Sequence, residues 1–362
     1  MDSRLKAWLQ LIETKDLGPV KAHQLISSLG EPENFIGKGI EPLLDYQRIS
    51  NEIKESLAVD TEPENWENIC ELSEKYQIKY TTILDDDYPA MLKNIFNPPL
   101  VLYYRGTLPK DDGATLIGIV GTRKPDNYGI MMTQKITGEL SRSGYGIVSG
   151  LAFGVDTHAH RTTIENNGIT YAVMGTGCDQ IYPESNRKLA ERILERGALI
   201  SEFTPGSKLE RWNFPARNRV ISGLSNGIFV VQGKISSGAL LTAKYALEHN
   251  RDLFALPGDI NRPQSEGPNH LIKKGAKLVS SYVDIVEEYD LIMTTQVDRT
   301  ASLSDKEKGV LNCIQESKPA ISYDELILKT GYNVGDLSTV LLALELQNLI
   351  RIGDGTMISS VD

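Results

Sequence analysis

Hydrophobic residues in the first 80 positions recur at helical spacing, and no strand pattern interrupts them. The first apolar stripe consists of four residues, Leu5, Trp8, Leu9 and Ile12. After a turn at residues 16–19, a second stripe runs over residues 20–29, and Gly30 ends it. Residues three or four positions apart share one face of a helix. Short helices joined by a Gly-Pro turn therefore predict a helical domain over residues 1–80, of the helix-hairpin-helix or sterile-alpha-motif (SAM) type.

From residue 116 onward, uninterrupted apolar runs alternate with helix-forming stretches. The runs occupy residues 116–121, 145–150, 170–175, 199–203, 227–232 and 252–258. Runs without polar alternation are typical of strands covered by helices on both faces. The pattern therefore predicts an α/β domain over residues 81–290 with a doubly wound, mostly parallel sheet, to which residues 100–104 add a short strand.

The remaining residues are predicted to form a linker and a third domain. A Thr-, Ser- and Asp-rich stretch over residues 291–303 predicts the linker. Beyond it, three helices and a two-stranded hairpin predict a winged-helix-like domain over residues 304–362, with helices at 305–315, 323–329 and 334–348 and strands at 349–352 and 356–359. The third helix carries Asp336 and Glu345 and neither Lys nor Arg, whereas a helix that reads the major groove needs cations. We therefore expect this domain to have a structural or protein-contact role.

The charge distribution sets the middle of the chain apart. The formal net charge of the whole chain is −10, yet residues 116–280 carry a net charge of +6. Residues 1–115 carry −8, and residues 281–300 and 301–362 carry −4 each. A net basic block inside an acidic chain is typical of an anion-binding domain with non-binding flanks, although some of its cations belong to solvated helix faces.

Composition excludes several classes of protein. Hydrophobic residues at 40% and charged residues at 24% are globular proportions. The three cysteines are far apart and lack a C-x-x-C spacing, so neither a disulfide framework nor a zinc site is expected. No segment is apolar enough for a signal peptide or a membrane span. We expect a cytoplasmic protein without a membrane partner.

Four segments at the carboxyl ends of predicted strands carry residue types that bind anions. Glycines let the backbone approach a ligand closely, and amides at helix starts together with cationic side chains can hold phosphate. The predicted anion-binding residues are Gly121, Thr122, Arg123, Gly150, Gly154, Arg217, Asn218, Arg219, Lys234, Ser236, Ser237 and Gly238. Arginines in the first turn of a helix oppose its dipole, which suggests a bound anion. The alternative is that Arg217 or Arg219 pairs with Glu202 or Asp156, and Asp156 is otherwise expected to cap the following helix.

No catalytic group, metal site or cofactor motif accompanies these segments. Neither a G-x-G-x-x-G fingerprint with a ribose-binding acid nor a G-x-x-x-x-G-K-[ST] loop is present. His158 and His160 are two positions apart on a predicted helix and therefore point in different directions. We expect the histidines to be structural, and the protein to be a non-enzymatic binder without a cofactor.

The order of the motifs resembles the DNA-processing protein A (DprA/Smf) family over about residues 85–280. The motifs are G-T-R at 121–123, S-G-L-A-F-G-V-D at 149–156, G-T-G at 175–177, F-P-A-R-N-R-V-I-S-G-L-S at 214–225, S-G-A-L at 237–240 and A-L-P-G at 255–258. The resemblance implies a Rossmann-like domain that binds and protects single-stranded DNA, helps to load a RecA-type recombinase during natural transformation, and forms a homodimer. It assigns phosphate contacts to Arg123, the 150–154 loop, residues 217–219 and Lys234.

One residue departs from the family pattern, and two other functions compete with DNA mediation. Many family members have a basic residue where this chain has Phe153, and we expect that ring to pack in the core rather than to stack on a base. A nucleoside-monophosphate hydrolase of related fold would need an acid within its glycine-rich element, and residues 233–241 contain none. Duplex regulation through the winged helix is disfavoured by the acidic third helix.

Overall fold

The structure is a computed structural model that describes residues 3–110, 113–289, 304–317, 320–346, 350–352 and 357–360. The chain divides into two compact units, Met1–Val286 and Glu287–Asp362. Among the described helices, none combines the length and the apolar character that crossing a bilayer requires.

The first unit begins with four helices, α1 Ser3–Glu13, α2 Gly18–Leu29, α3 Asn51–Ala58 and α4 Trp66–Tyr76. Two 3-10 turns, Pro32–Asn34 and Glu41–Leu43, lie between α2 and α3. Leu5, Trp8 and Leu9 are fully buried, as their spacing predicts. Ile12 and Val20 are half exposed, because the apolar stripe is wider than the surface it covers.

The rest of the first unit is a nine-stranded sheet with its helices. The strands are β1 Lys79–Thr82, β2 Val101–Gly106, β3 Leu116–Val120, β4 Gly146–Ser149, β5 Thr170–Val173, β6 Ala198–Ser201, β7 Gly227–Val230, β8 Asp252–Ala255 and β9 Lys277–Leu278. The helices are α5 Ala90–Lys93, α6 Asn127–Arg142, α7 Val155–Glu165, α8 Arg187–Ile193, α9 Asn213–Leu224, α10 Gly238–Glu248, α11 Glu266–Lys273 and α12 Val283–Val286. Further 3-10 turns lie at Glu184–Asn186 and Pro263–Ser265.

The strand order is β1-β2-β6-β5-β4-β3-β7-β8-β9. β1 and β2 pair antiparallel, and the seven strands from β6 to β9 are parallel, which confirms the predicted doubly wound sheet. The chain adds β4, β5 and β6 on one side of β3 and then returns to add β7 on the other side. Ligands of such sheets bind outside the carboxyl ends of the strands at this reversal, here between β3 and β7.

The six predicted parallel strands are all present, and each ends one to three residues before its predicted end. The residues that follow leave the ladder to form the loops of the carboxyl edge. β3 to β7 are buried along their whole lengths, as continuous apolar runs require. One hydrophobic core extends from Leu5 on α1 to Ala276 beside β9, so the helices of residues 1–80 pack in the same unit as the sheet. The domain boundary at residue 80 stays a prediction.

The second unit is a winged-helix fold, as predicted. Its elements are α13 Asp305–Glu316, β10 Ile321–Ser322, α14 Tyr323–Thr330, α15 Val334–Leu346, β11 Ile350–Ile352 and β12 Met357–Ser360, and the strand order is β10-β12-β11. Capping boxes start α13 at Ser304 and α14 at Ser322. The predicted linker over residues 291–303 and the predicted hairpin turn lie outside the described residues.

Candidate functional site

A cleft of about 480 Å³ lies at the carboxyl edge of the sheet, at the reversal between β3 and β7. The loops after β3 and β7 and the first turns of α9 and α10 form its walls. Nine of the twelve predicted anion-binding residues line it, namely Gly121, Thr122, Arg123, Arg217, Asn218, Lys234, Ser236, Ser237 and Gly238. Residues more than 100 positions apart in sequence therefore meet in one site.

Three exposed cations stand in this cleft. Arg123 and Lys124 follow β3, and Lys234 follows β7. Within the described part of the chain, none of the three forms an ion pair. The Arg123 guanidinium lies 5.3 Å from the centre of the Phe214 ring, a cation–π contact that leaves its N–H groups available. The cleft is therefore electropositive and free to accept an anion.

The start of α10 adds backbone donors to the cleft. The first turn of this helix contains no acidic residue, and no side chain caps it. Among the described residues, nothing accepts a hydrogen bond from the N–H groups of Gly238 and Ala239. The Asn218 side chain connects α9 to this turn, because its Nδ2 donates to the Gly238 carbonyl at 3.2 Å. Free amides at a helix N-terminus favour a negatively charged ligand.

The loop after β4 is held in a strained conformation. Leu151 is fully buried and has a φ of +56°, a region that residues with large side chains rarely occupy. Its N–H donates to His160 Nε2 at 3.3 Å, and its carbonyl accepts from Asn186 Nδ2 at 2.9 Å. The Asp156 carboxylate accepts from the N–H groups of Gly150 and Ala152 at 3.1 and 3.4 Å. Buried polar side chains therefore determine the course of this loop.

Asp156 does not cap a helix, contrary to the sequence-based expectation. It lies in the first turn of α7, whose cap position is Gly154, and it binds the loop before the helix. Burial raises the pKa of Asp156, and the nearby Arg217 opposes that rise. Among the described residues that line the cleft, Asp156 is the one with a carboxylate, and that carboxylate is engaged by the main-chain N–H groups of Gly150 and Ala152.

Gly150 and Gly154 act through close packing and do not line the cleft. Gly154 has a φ of +78°, and a Cβ there would lie 2.7 Å from the Arg123 carbonyl carbon. A Cβ at Gly150 would overlap the Arg217 guanidinium, and Gly150 itself borders a small adjoining cavity. Both glycines therefore let neighbouring loops approach each other beneath the cleft.

The two arginines of α9 have different surroundings. Arg217 is 5% exposed and forms the floor of the cleft, where its Nη1 donates to the carbonyls of Gly150 and Val173 at 2.5 and 2.6 Å. Burial lowers the pKa of Arg217, although Asp156 favours its charged form. Arg217 therefore joins the ends of β4 and β5 to α9.

Arg219 lies outside the cleft. Its Nη2 forms an ion pair with Glu202, and its Nη1 donates to the Asn97 carbonyl at 2.7 Å. Burial raises the pKa of Glu202, and Arg219 opposes that rise. Of the alternatives that the sequence left open, the structure shows the ion pair for Arg219.

Aromatic rings surround the cavity beside the cleft. Phe153 is 47% exposed and Tyr182 is 42% exposed, and the Tyr182 and Phe214 ring centres lie 5.7 Å apart. The prediction that Phe153 packs in the core is wrong, because the glycine-rich loop turns its ring toward solvent. Tyr182 and Lys124 are not among the twelve residues that the sequence predicts for the site. Lys124 lies three residues after the predicted strand over 116–121, and Tyr182 lies in the loop that follows the predicted strand over 170–175; these positions were the signal that could have identified them.

His160 has a structural role that makes stability depend on pH. The side chain is fully buried, its Nδ1 lies 2.8 Å from Thr170 Oγ1, and burial lowers its pKa to about 3. The folded protein keeps His160 neutral, whereas the unfolded chain takes up a proton below about pH 6.5. Its contribution to stability is therefore complete above pH 6.5 and is lost as the pH falls toward 3.

We expect His160→Gln to remove part of the acid sensitivity of folding. Between pH 7 and pH 5, His160 alone should lower the free energy of unfolding by about 2 kcal/mol, and the variant should lack that loss. Urea unfolding at both pH values measures it. His249, whose pKa burial lowers to about 4, remains in both proteins, so a smaller decrease should persist in the variant. Equal decreases in the two proteins would contradict the assignment.

Family models match both the part of the chain that forms the sheet and the part that forms the winged helix. The family model of DNA recombination-mediator protein A matches residues 79–290, and that of the DprA winged helix domain matches residues 295–356. Protein Smf of Synechocystis is 34% identical over 395 aligned residues, which cover 95% of each chain.

Two solved structures extend the comparison. DNA processing protein A from Streptococcus pneumoniae superimposes with a TM-score of 0.65 at 32% identity, covering 78% of this chain and 97% of that one. DNA processing protein A from Helicobacter pylori, described for its single-stranded DNA binding mode, superimposes with a TM-score of 0.52 at 28% identity over 60% and 97% of the two chains. Since one family model covers more than half of the chain and its relatives share both the sequence and the fold, the chain belongs to the DNA recombination-mediator protein A family, the DprA/Smf family of DNA-processing proteins.

Proposed function

We propose that the chain binds single-stranded DNA in the cleft between β3 and β7. The observation that carries the proposal is the presence of three exposed, unpaired cations, Arg123, Lys124 and Lys234, beside the free amides that start α10. Cationic side chains and helix N-termini are typical phosphate contacts. Arg217 forms the floor of the cleft and holds the surrounding loops, and Arg219, which lies outside the cleft, is not proposed to contact the DNA.

The exposed aromatic rings beside the cleft favour a single strand over a duplex. Phe153, Tyr182 and Phe214 lie next to Arg123, so bases of a strand whose phosphates occupy the cleft could stack on their rings. Bases in a duplex are already paired and stacked and cannot reach such rings. Phosphate contacts and stacking carry little base information, so we expect weak sequence preference.

Family membership supports a further part of the proposal. The family model that matches this chain is described as DNA recombination-mediator protein A, which is consistent with this chain binding and protecting incoming strands and presenting them to a RecA-type recombinase. We propose that it does so as a homodimer.

The competing function is hydrolysis of a nucleoside monophosphate in the same cleft. A hydrolase needs a carboxylate that is free to act on substrate. Asp156 is the one acid among the described cleft residues, and it accepts hydrogen bonds from Gly150 and Ala152. Binding to duplex through α15 is disfavoured, because that helix contains neither Lys nor Arg. Both observations favour binding of a single strand at the sheet.

Fluorescence anisotropy with labelled single-stranded and duplex oligonucleotides across a salt series tests the proposal. With three or four phosphates neutralised, log K against log salt should have a slope of about −2 to −3, and the duplex should bind more weakly. A flat salt response or tighter duplex binding would refute it. Incubation with nucleoside monophosphates is the parallel assay, and turnover would favour the hydrolase.

A further inference from the structure

We infer that Gln232 is a positioning residue for the DNA site, although it does not line the cleft. It holds the segment of residues 122–126, which carries Arg123 and Lys124, against the end of β7. This inference rests on the proposed function of the cleft.

Gln232 lies two residues after the end of β7 and is 1% exposed. Its carbonyl accepts from the Thr122 N–H at 2.7 Å. Its side-chain Oε1 accepts from the Asp126 N–H at 3.2 Å, and its Nε2 donates to Asp126 Oδ1 at 2.9 Å. One buried residue therefore binds both ends of the segment that presents the two cations.

The partner of Gln232 is itself fixed. Asp126 Oδ1 also accepts from the Gly129 N–H at 2.9 Å, and Asp126 Oδ2 lies 3.3 Å from Arg262 Nη1. The hydrogen bond from Gly129 lowers the pKa of Asp126, which therefore stays an acceptor for Gln232. A Cβ at Gly129 would lie 2.5 Å from Gln232 Cδ, so α6 packs directly on the amide and confines it.

The position of the cations depends on this connection, because the one other side-chain contact in the described residues is that of the Arg123 guanidinium with the Phe214 ring at 5.3 Å, which does not fix the backbone. Within the described residues, neither Arg123 nor Lys124 forms an ion pair, and the bond inside the segment is from the Lys124 N–H to Thr122 Oγ1 at 3.2 Å. The orientation of both side chains therefore follows from the backbone between its two attachment points. Loss of the side-chain amide would release the Asp126 end of the segment, while the main-chain bond to Thr122 remains. Both charges would still be present, but their distance from Lys234 would no longer be fixed.

The first test replaces the amide by an isosteric apolar group. Gln232→Met should raise the Kd for a single-stranded oligonucleotide about tenfold and reduce the slope of log K against log salt by about 1, since two phosphate contacts at ~0.7 each weaken. Asn226→Leu is the matched control. Asn226 Oδ1 accepts from the Leu116 N–H at 2.8 Å and so connects β7 to β3 at the opposite edge of the sheet. It should lower the melting temperature without changing the Kd.

The second test uses Gln232→Glu and a pH series. At pH 8 the new carboxylate would face the Asp126 acceptor and repel it, so binding should weaken at least as much as in the methionine variant. Protonation of either carboxyl group restores a hydrogen-bond donor between the two residues. Because two neighbouring carboxylates repel each other, the pKa of one of them rises, and it takes up a proton at mildly acidic pH. Binding by Gln232→Glu, relative to the wild type, should therefore recover toward pH 5.5, whereas Gln232→Met should not recover.

A double-mutant cycle decides whether Gln232 acts through the two cations. In an Arg123→Ala/Lys124→Ala background, Gln232→Met should change the Kd by less than about twofold. If Gln232→Met raises the Kd as much in this background as in the wild type, the inference about Gln232 is wrong and the proposed function stands. The same holds if folded Gln232 variants bind DNA like the wild type. If Arg123→Ala/Lys124→Ala itself leaves binding unchanged, the proposed function fails instead. Should the methionine variant not fold, the pH recovery of Gln232→Glu still decides.

Discussion

Replacement of Arg217 by methionine is expected to lower the free energy of unfolding by about 3 to 5 kcal/mol, the cost of breaking a buried charged network. The guanidinium is almost completely buried and donates to the carbonyls of Gly150 and Val173. Methionine has a similar volume but no donor, so both carbonyls lose their partner. Asp156 also loses the cation that offsets the cost of its burial. Urea unfolding at pH 7 measures the effect.

Arg217→Lys provides the control for charge. Lysine keeps the positive charge but lacks the planar fork that reaches two carbonyls at once, so we expect an intermediate loss of stability. A methionine variant with wild-type stability and abolished DNA binding would contradict this expectation. It would mean that Arg217 serves the ligand alone, as its position in the F-P-A-R-N-R motif suggests.

Removal of the three exposed cations should weaken DNA binding without lowering stability, whereas Arg217→Met should lower stability. Arg123→Ala/Lys124→Ala/Lys234→Ala is expected to weaken single-strand binding by roughly 150- to 2000-fold, from about 1 to 1.5 kcal/mol for each of three contacts. The salt slope should fall by about 2, since three phosphates at ~0.7 each are no longer neutralised. The melting temperature should not change, because these side chains are exposed and form no ion pair among the described residues. Anisotropy and thermal unfolding measure the two effects.

The matched control removes three cations that lie outside the cleft. Lys135, Lys188 and Lys273 are exposed positions on α6, α8 and α11. Their combined replacement by alanine changes the net charge by the same amount. We expect at most a few-fold loss of affinity, because long-range attraction is weak beyond the Debye length of about 10 Å. Equal losses in the two triple variants would assign binding to overall charge and not to the cleft.

Much of the fold could be predicted because its signals are local. Residues 116–121 and 227–231 form uninterrupted apolar segments, and such segments become buried parallel strands wherever helices can cover both faces. β1 and β9 were not predicted, because Lys79–Thr82 and Lys277–Leu278 are short and contain few apolar residues. Their pairing depends on neighbouring strands that already exist and not on their own composition.

The site could be predicted only in part. Glycines, hydroxyls and cations after strand ends identified nine residues that line the cleft, because parallel strands bring their carboxyl ends to one edge. Phe153 was assigned to the core, since an apolar side chain in a loop has no periodicity that indicates its direction. Its exposure follows from the strained Leu151 backbone, which His160 and Asn186 stabilise from distant positions.

The sequence by itself determined the order of strands and helices and the edge at which anion-binding residues meet, since both follow from local patterns and the parallel direction of the strands. Only the tertiary structure decided which of Arg217 and Arg219 faces the cleft. Side chains two positions apart on a helix point about 200° apart, and the rotation of the helix about its axis depends on what it packs against. Here packing turns Arg217 toward Gly150 and Arg219 toward Glu202, so neighbours in one motif have different functions.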